Sequence, residues 1–198
     1  MRKYLIIIIL CNLCAIFSQA QPTGIIPTPQ HVTFQDGYYV LKDNQQPVIE
    51  TQLITSFPID TNADQAYILE VKADKFLIQA LTEQGLFYGQ QSVKQLLRYF
   101  KDGSRKVSIP CMHIVDYPKL KYRGWMDDIS RGPIPNMEFL KRVIATLAEY
   151  KFNFFNLYTE HVFKLDQYPD IAPTDGLTAS EVKELEDYAK IFHIELIG

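Results

Sequence analysis

The chain has 198 residues, of which 47% are hydrophobic and 22% charged, and its formal net charge is −3. This composition is typical of a globular protein of one or two domains, and it excludes a disordered, collagen-like or disulfide-dense chain. A mildly acidic chain is poorly suited to bind the phosphates of nucleic acids, so no nucleic-acid partner is predicted. Apart from the N-terminus, no stretch is long and apolar enough to predict a membrane span.

The first 20 residues have the pattern of a secretory signal peptide. Arg2 and Lys3 precede an apolar run over residues 4–17, and small residues follow at Ser18 and Ala20. This order of charged, apolar and small residues predicts cleavage after Ala20 and export to the periplasm or the cell surface.

Two alternatives for this segment are weaker. A membrane anchor would need about 20 apolar residues, and this run is shorter. A lipoprotein would attach its lipid at Cys11 or Cys14, but neither cysteine follows a small residue of the expected kind.

Residues 21–118 predict a small α+β domain made of a sheet and one helix. Alternating apolar residues on both sides of Gly37 predict a β-hairpin over residues 32–41. A second hairpin is predicted over 67–80, a helix over 83–98 and a short strand over 107–109. Residues 42–65 have no regular pattern and receive no prediction.

Residues 119–198 have a different pattern, with strands and helices in alternation. Strands are predicted at 122–129, 153–158 and 193–197, with helices over 136–150 and from Thr178 onward between them. Asn136 is predicted to cap the first of these helices, and Thr178 with Glu181 forms a capping-box pattern at the start of the second. This β-α-β-α-β order predicts parallel strands with right-handed crossovers. It corresponds to the first units of an incomplete (β/α)8 TIM barrel, which needs roughly 250 residues, so we expect the sequence to be the N-terminal part of a longer protein.

Residues 122–131 read YRGWMDDISR and form the most distinctive motif of the chain. This motif resembles the first barrel strand of the family 20 glycoside hydrolases, the β-N-acetylhexosaminidases, and residues 139–153 are similar to the family's first helix and the entry to its second strand. Residues 85–97 resemble the helix of its N-terminal domain, and residues 116–118 the junction with the barrel. The segment 153–161 lacks the His-Trp-His usual in the family, and Gly132 replaces its histidine, which makes the chain a divergent member.

The resemblance implies a set of substrate-binding residues. Arg123 matches the family arginine that forms hydrogen bonds with sugar hydroxyls, a role for which a planar guanidinium is well suited. Asp128 matches the family aspartate at the end of the first barrel strand. Tyr158, Glu160 and His161 lie at the C-terminal end of the second parallel strand, where barrels place their chemistry. The alternative for Arg123 is a structural ion pair with a neighbouring aspartate.

Two nearby residues receive structural predictions instead. Arg131 is predicted to brace the loop after the first barrel strand. Trp125 is predicted to pack in the core because it lies in the middle of that strand.

The resemblance implies an exported exo-β-N-acetylhexosaminidase that acts on N-acetylhexosamine-containing glycans. In such substrate-assisted hydrolysis the acetamido oxygen of the sugar is the nucleophile. The Asp-Glu pair of the family follows its fourth barrel strand, so no catalytic residue is assigned within these 198 residues. No cofactor or metal is predicted, because His193 and Glu195 alone would make a poor metal site. The alternatives are a non-catalytic glycan-binding or scaffold protein of the same fold, and another barrel hydrolase.

Overall fold

A computed structural model describes residues 22–101, 103 and 106–198, so the predicted signal peptide lies outside the described residues. The N-terminal half forms a five-stranded sheet in the order β1-β5-β3-β4-β2. All its strand pairs are antiparallel except β2 with β4. The strands are β1 (His31–Lys42), β2 (Ile49–Leu53), β3 (Tyr67–Val71), β4 (Phe76–Ala80) and β5 (Lys106–Asp116).

The prediction of two hairpins is half correct. β3 and β4 form the predicted antiparallel pair. The first hairpin is wrong, because β1 continues as one strand along β5 and only shifts register between Phe34 and Tyr38. Gly37 has a φ of +100° there, which glycine adopts readily, so the predicted turn is a β-bulge. β5 is much longer than predicted and gives both halves of β1 a partner.

The predicted helix α1 (Glu83–Tyr99) covers one face of this sheet. Its first turn is capped by Thr82, whose side chain accepts a hydrogen bond from the Gly85 amide at 3.1 Å. Leu96 on its inner face is fully buried. Gly89 lies so close to Ile78 of β4 that any side chain would overlap it. The glycine therefore allows the close approach of α1 to the sheet.

The C-terminal half forms a three-stranded parallel sheet in the order β6-β7-β8, with one helix after each of the first two strands. This is the predicted alternation. Asn136 and Thr178 cap the two helices as predicted, and Thr178 forms a full capping box with Glu181. The elements are β6 (Gly124–Asp128), α2 (Met137–Glu149), β7 (Phe154–Tyr158), α3 (Ala179–Ile191) and β8 (Glu195–Ile197).

The position of β6 explains one wrong prediction. Trp125 was expected in the core, but it is 54% exposed. Its registered neighbour Phe155 on β7 is fully buried in the cluster beneath α2 and α3. Trp125 lies on β6, which is an outer strand of this sheet. No helix within the described ranges is long and apolar enough to cross a membrane.

A buried polar network joins the two halves. Lys151, in the turn between α2 and β7, donates hydrogen bonds from Nζ to the Asp116 carboxylate at 3.2 Å and to the Tyr67 hydroxyl at 3.1 Å. The Tyr67 hydroxyl also donates to Asp116 at 2.8 Å and lies 2.6 Å from the Ser92 hydroxyl. Burial lowers the pKa of Lys151 and raises the pKa of Tyr67. The ion pair connects the end of β5 with the turn before β7.

We expect Asp116→Asn to lower the free energy of unfolding by about 3–5 kcal/mol, because it leaves the Lys151 ammonium buried without a counter-charge. Urea unfolding measures this change. The double variant Asp116→Asn/Lys151→Met should recover part of the loss, since it removes both charges. Glu50→Gln is the matched control, because the Glu50–Lys75 pair lies at the surface, with about half of the Glu50 side chain exposed, and should contribute at most about 1 kcal/mol. An equal cost for Asp116→Asn and Glu50→Gln would contradict this role of the network.

Candidate functional site

The C-terminal ends of β6 and β7 lie side by side. They form the C-terminal edge of the parallel sheet, called the edge below, which carries most of the predicted site residues. Asp128 is the last residue of β6, and it is in register with Tyr158, the last residue of β7. The Ile129 amide donates a hydrogen bond to the Tyr158 carbonyl at 3.1 Å and holds the two strand ends together. The main chain therefore fixes the spacing of these two positions.

Asp128 is an anion held by its own loop. Its Oδ1 accepts hydrogen bonds from the Ser130 hydroxyl at 2.6 Å and from the Ser130 amide at 2.9 Å. These two bonds, the hydroxyl first, lower the pKa of Asp128. The residue borders an open groove of about 480 Å³, which the loop 133–136 and Phe139 also line.

Glu160 links the two strand ends. The Tyr158 hydroxyl donates a hydrogen bond to Glu160 Oε1 at 3.0 Å, and an Arg131 Nη lies 3.4 Å from the same oxygen. The bond to the carboxylate raises the pKa of Tyr158. Glu160 has a φ of +40°, in the left-handed region that a residue with a side chain rarely adopts. Such strained residues cluster at functional sites.

His161 follows in the 3₁₀ turn Glu160–Val162, whose last residue is buried. The histidine is exposed. It lies on the same edge as the other three predicted residues.

Arg131, which the sequence predicts to brace the loop after the first barrel strand, also lies at this edge. Its side chain is 72% exposed and its guanidinium reaches the Glu160 carboxylate across the strand ends. The available signal was its position, three residues after the end of a parallel strand, where such folds concentrate their functional groups. The edge therefore offers carboxylates, a phenol and a guanidinium, all of which form hydrogen bonds with hydroxyl groups.

Arg123 lies at the opposite end of β6, roughly 16 Å along the strand from Asp128. Its Nε donates to the Lys151 carbonyl at 2.9 Å, and one Nη donates to Gln65 Oε1 at 2.8 Å. The other Nη donates to the Tyr88 hydroxyl at 3.1 Å. The structure thus separates Arg123 from the other four predicted site residues.

The surroundings of Arg123 connect the two halves of the chain. Gln65 and Tyr88 belong to the N-terminal half, whereas Lys151 belongs to the C-terminal half. All of its hydrogen-bond partners are neutral groups, so the predicted alternative of an ion pair with Asp127 or Asp128 is not what the guanidinium forms. Burial lowers its pKa.

Metal ligation has no support in the described part of the chain. Across these residues, no three histidine, cysteine, aspartate or glutamate side chains gather as they would around a metal ion. The side chains at the C-terminal ends of β6 and β7 are hydrogen-bonding groups.

Comparison with known proteins identifies relatives of this fold. Residues 44–117 match the family described as Glycosyl hydrolase family 20, domain 2. The chain is 28% identical over 169 residues to β-hexosaminidase subunit A2 of Dictyostelium discoideum, a match that covers 80% of this chain and 31% of that protein. It is also 28% identical to the N,N'-diacetylchitobiase of Vibrio harveyi, over 71% of this chain and 19% of that protein.

Solved structures of the same group share the fold. The chitobiase of Flavobacterium johnsoniae superposes with a TM-score of 0.73 at 23% identity, over 88% of this chain and 34% of that one. The N-acetyl-β-hexosaminidase of Streptomyces plicatus gives a TM-score of 0.72 at 22% identity, over 88% of this chain and 45% of that one.

The chain spans less than half the length of these relatives. The matched regions nonetheless include both its antiparallel and its parallel sheet, since the structural matches cover 88% of it. The resemblance predicted from the sequence motifs is confirmed: this α/β chain is a divergent relative of the N-terminal part of the family 20 glycoside hydrolases.

Proposed function

We propose that the chain is the N-terminal part of an exported exo-β-N-acetylhexosaminidase. The observation that carries this proposal is the edge formed by Asp128, Arg131, Tyr158 and Glu160 at the C-terminal ends of two parallel strands. The similarity to β-hexosaminidases supports it, and this chain spans less than half the length of those relatives.

In this proposal residues 21–118 are the N-terminal domain, and residues 119–198 begin a (β/α)8 barrel. Residues 1–20 direct the protein to the periplasm or the cell surface. The order β6-β7-β8, all parallel with helices between, supports the barrel assignment.

The edge contributes to the binding of a non-reducing terminal sugar. The hydrogen bonds from Ser130 lower the pKa of Asp128, and the carboxylate accepts hydrogen bonds from sugar hydroxyls. Arg131 donates in the same region, and Tyr158 holds Glu160 in place. His161 lies on the same edge and contacts the sugar or its aglycone. Hydrolysis then proceeds by substrate assistance, with the general acid Glu and the acetamide-holding Asp contributed by sequence after residue 198.

The experiment compares the 198-residue chain with the product of its gene extended through any downstream sequence. We expect the extended protein to hydrolyse 4-nitrophenyl N-acetyl-β-D-glucosaminide and the 198-residue chain to show no turnover above a mock preparation. Turnover by the 198-residue chain would contradict the proposal that the catalytic residues follow residue 198. An extended protein that binds chitobiose without hydrolysing it would identify a glycan-binding protein instead of a hydrolase.

We expect Arg131→Lys in the extended protein to lower kcat/KM by about 10- to 150-fold. Lysine keeps the charge but loses the planar fork, and one charged hydrogen bond contributes roughly 1.5–3 kcal/mol. Steady-state kinetics on the nitrophenyl substrate measure the effect. Arg98→Lys is the control, because Arg98 is an exposed arginine on α1 that pairs with Glu149 and does not line the groove beside Asp128. A normal kcat/KM for Arg131→Lys would remove Arg131 from the proposed site.

Arg123→Lys distinguishes the two roles open to Arg123. The geometry favours a structural role, so we expect a lower melting temperature and a kcat/KM near normal when measured well below that temperature. The reason is that lysine cannot replace the hydrogen bonds to Gln65, Tyr88 and Lys151. A variant with unchanged stability and a kcat/KM lowered tenfold or more would instead establish the sugar-binding role that the resemblance implies.

A further inference from the structure

A second cavity lies between the two halves of the chain, far from the edge described above. It has a volume of about 240 Å³ and is bordered by the N-terminal segment, by the buried network and by the loop before β6. Pro27, Tyr117 and Leu120 provide carbon-rich walls. Asp116, Arg123 and Lys151 also line it.

The charges around this cavity do not balance. Asp116 is the one carboxylate among its lining residues, whereas Arg123, Lys151 and the rim residue Lys119 are cations. Lys151 is paired with Asp116, and both side chains are about nine-tenths buried. Arg123 is partly buried and bonds only to neutral acceptors. The lining residues therefore have an excess of positive charge, and because a buried charge is costly unless it is paired, an anion bound there would be stabilised.

Two donors beside the cavity remain available. The Lys151 ammonium has three N–H groups, and the described residues provide acceptors for two of them, Tyr67 and Asp116. The Arg123 Nη that bonds Tyr88 has a second N–H for which those residues provide no acceptor. A ligand with a carboxylate could accept from both groups.

We propose that this cavity is a binding site for a small organic carboxylate with an apolar body. The anionic group would contact Lys151 and Arg123, and the apolar body would lie against Pro27, Tyr117 and Leu120. Pockets for drug-sized ligands are usually about 300–1,000 Å³, so this smaller cavity suits a molecule with a single ring. Lowered pKa values of Lys151 and Arg123 are consistent with a site that an anion would stabilise.

Such a ligand would contact both halves of the chain at once. Asp116 and Tyr117 end the N-terminal half, whereas Lys151 belongs to the turn before β7. A ligand that binds only the folded state would therefore stabilise the contact between the two halves against unfolding, by mass action. This site is independent of the proposed hydrolase function, because it shares no residue with the edge formed by Asp128, Arg131, Tyr158 and Glu160.

The test uses three probes of similar shape and different charge: benzoate, benzyl alcohol and benzylamine. Isothermal titration calorimetry on the extended protein should give a benzoate Kd at least tenfold lower than that of benzyl alcohol, with no binding of benzylamine. Equal affinities for benzoate and benzyl alcohol, or no binding of benzoate, would overturn the proposal.

Two variants locate the site. Lys151→Met should abolish the preference for benzoate, whereas Lys183→Met, at an exposed lysine of α3, should preserve it. Leu120→Glu covers the case in which Lys151→Met does not fold, because Leu120 is 70% exposed at the rim. The added negative charge should weaken benzoate binding at least tenfold, and Leu165→Glu, at another exposed leucine, should not. Unchanged benzoate affinity in Leu120→Glu would place the binding elsewhere and overturn the assignment.

Discussion

The buried ion pair between Asp116 and Lys151 is the interaction on which the arrangement of the two sheets depends. Asp116 is the last residue of β5, and Lys151 lies in the turn that leads into β7. Removing two charges from water is costly, so the pair persists only because Tyr67 and the Gln30 amide complete the hydrogen bonding of the carboxylate. Lys151 has a φ of +62° because it ends α2 in a left-handed turn, in which the Phe152 amide bonds the Leu147 carbonyl and the Lys151 amide bonds the Ala148 carbonyl. The electrostatic contact therefore fixes where the parallel sheet begins relative to the antiparallel one.

Arg123 extends the same junction towards β6. Its guanidinium bonds the Lys151 carbonyl on one side and Gln65 and Tyr88 on the other. The Arg123 carbonyl accepts hydrogen bonds from the Asn153 and Phe154 amides, so the start of β7 is tied to the same residue. The N-terminal ends of both strands are consequently held by main-chain and side-chain bonds, while their C-terminal ends carry exposed polar side chains. This division between a rigid end and an accessible end is typical of barrel-like folds, in which one face provides stability and the other provides chemistry.

Sequence patterns predicted the elements whose signals are local. The α2 and α3 caps, the β3–β4 hairpin and the parallel alternation all follow from residues close together in the chain. The single strand β1 could not be predicted, because its bulge at Gly37 depends on pairing with β5, about 70 residues later. β2 was missed for a similar reason: its strand forms only by parallel pairing with β4, and its residues are exposed without alternation. The same limit applies to the site, where Asp128, Tyr158 and Glu160 follow from strand ends, whereas the contacts of Arg123 with Gln65 and Tyr88 arise only in the folded chain.

Glu160 shows how the accessible end is organised. Its left-handed backbone begins the 3₁₀ turn that buries Val162, and the bond from the Val162 amide to the Thr159 carbonyl closes that turn. The Leu177 amide bonds the Val162 carbonyl, which ties the turn to the loop before α3. Burial of Val162 in the core offsets the strain at Glu160, so the carboxylate is held at the strand end by packing below it as well as by Tyr158 and Arg131 above it. A carboxylate positioned in this way loses little conformational freedom when a ligand hydroxyl binds it, and that preorganisation supports the proposal that this edge binds a sugar.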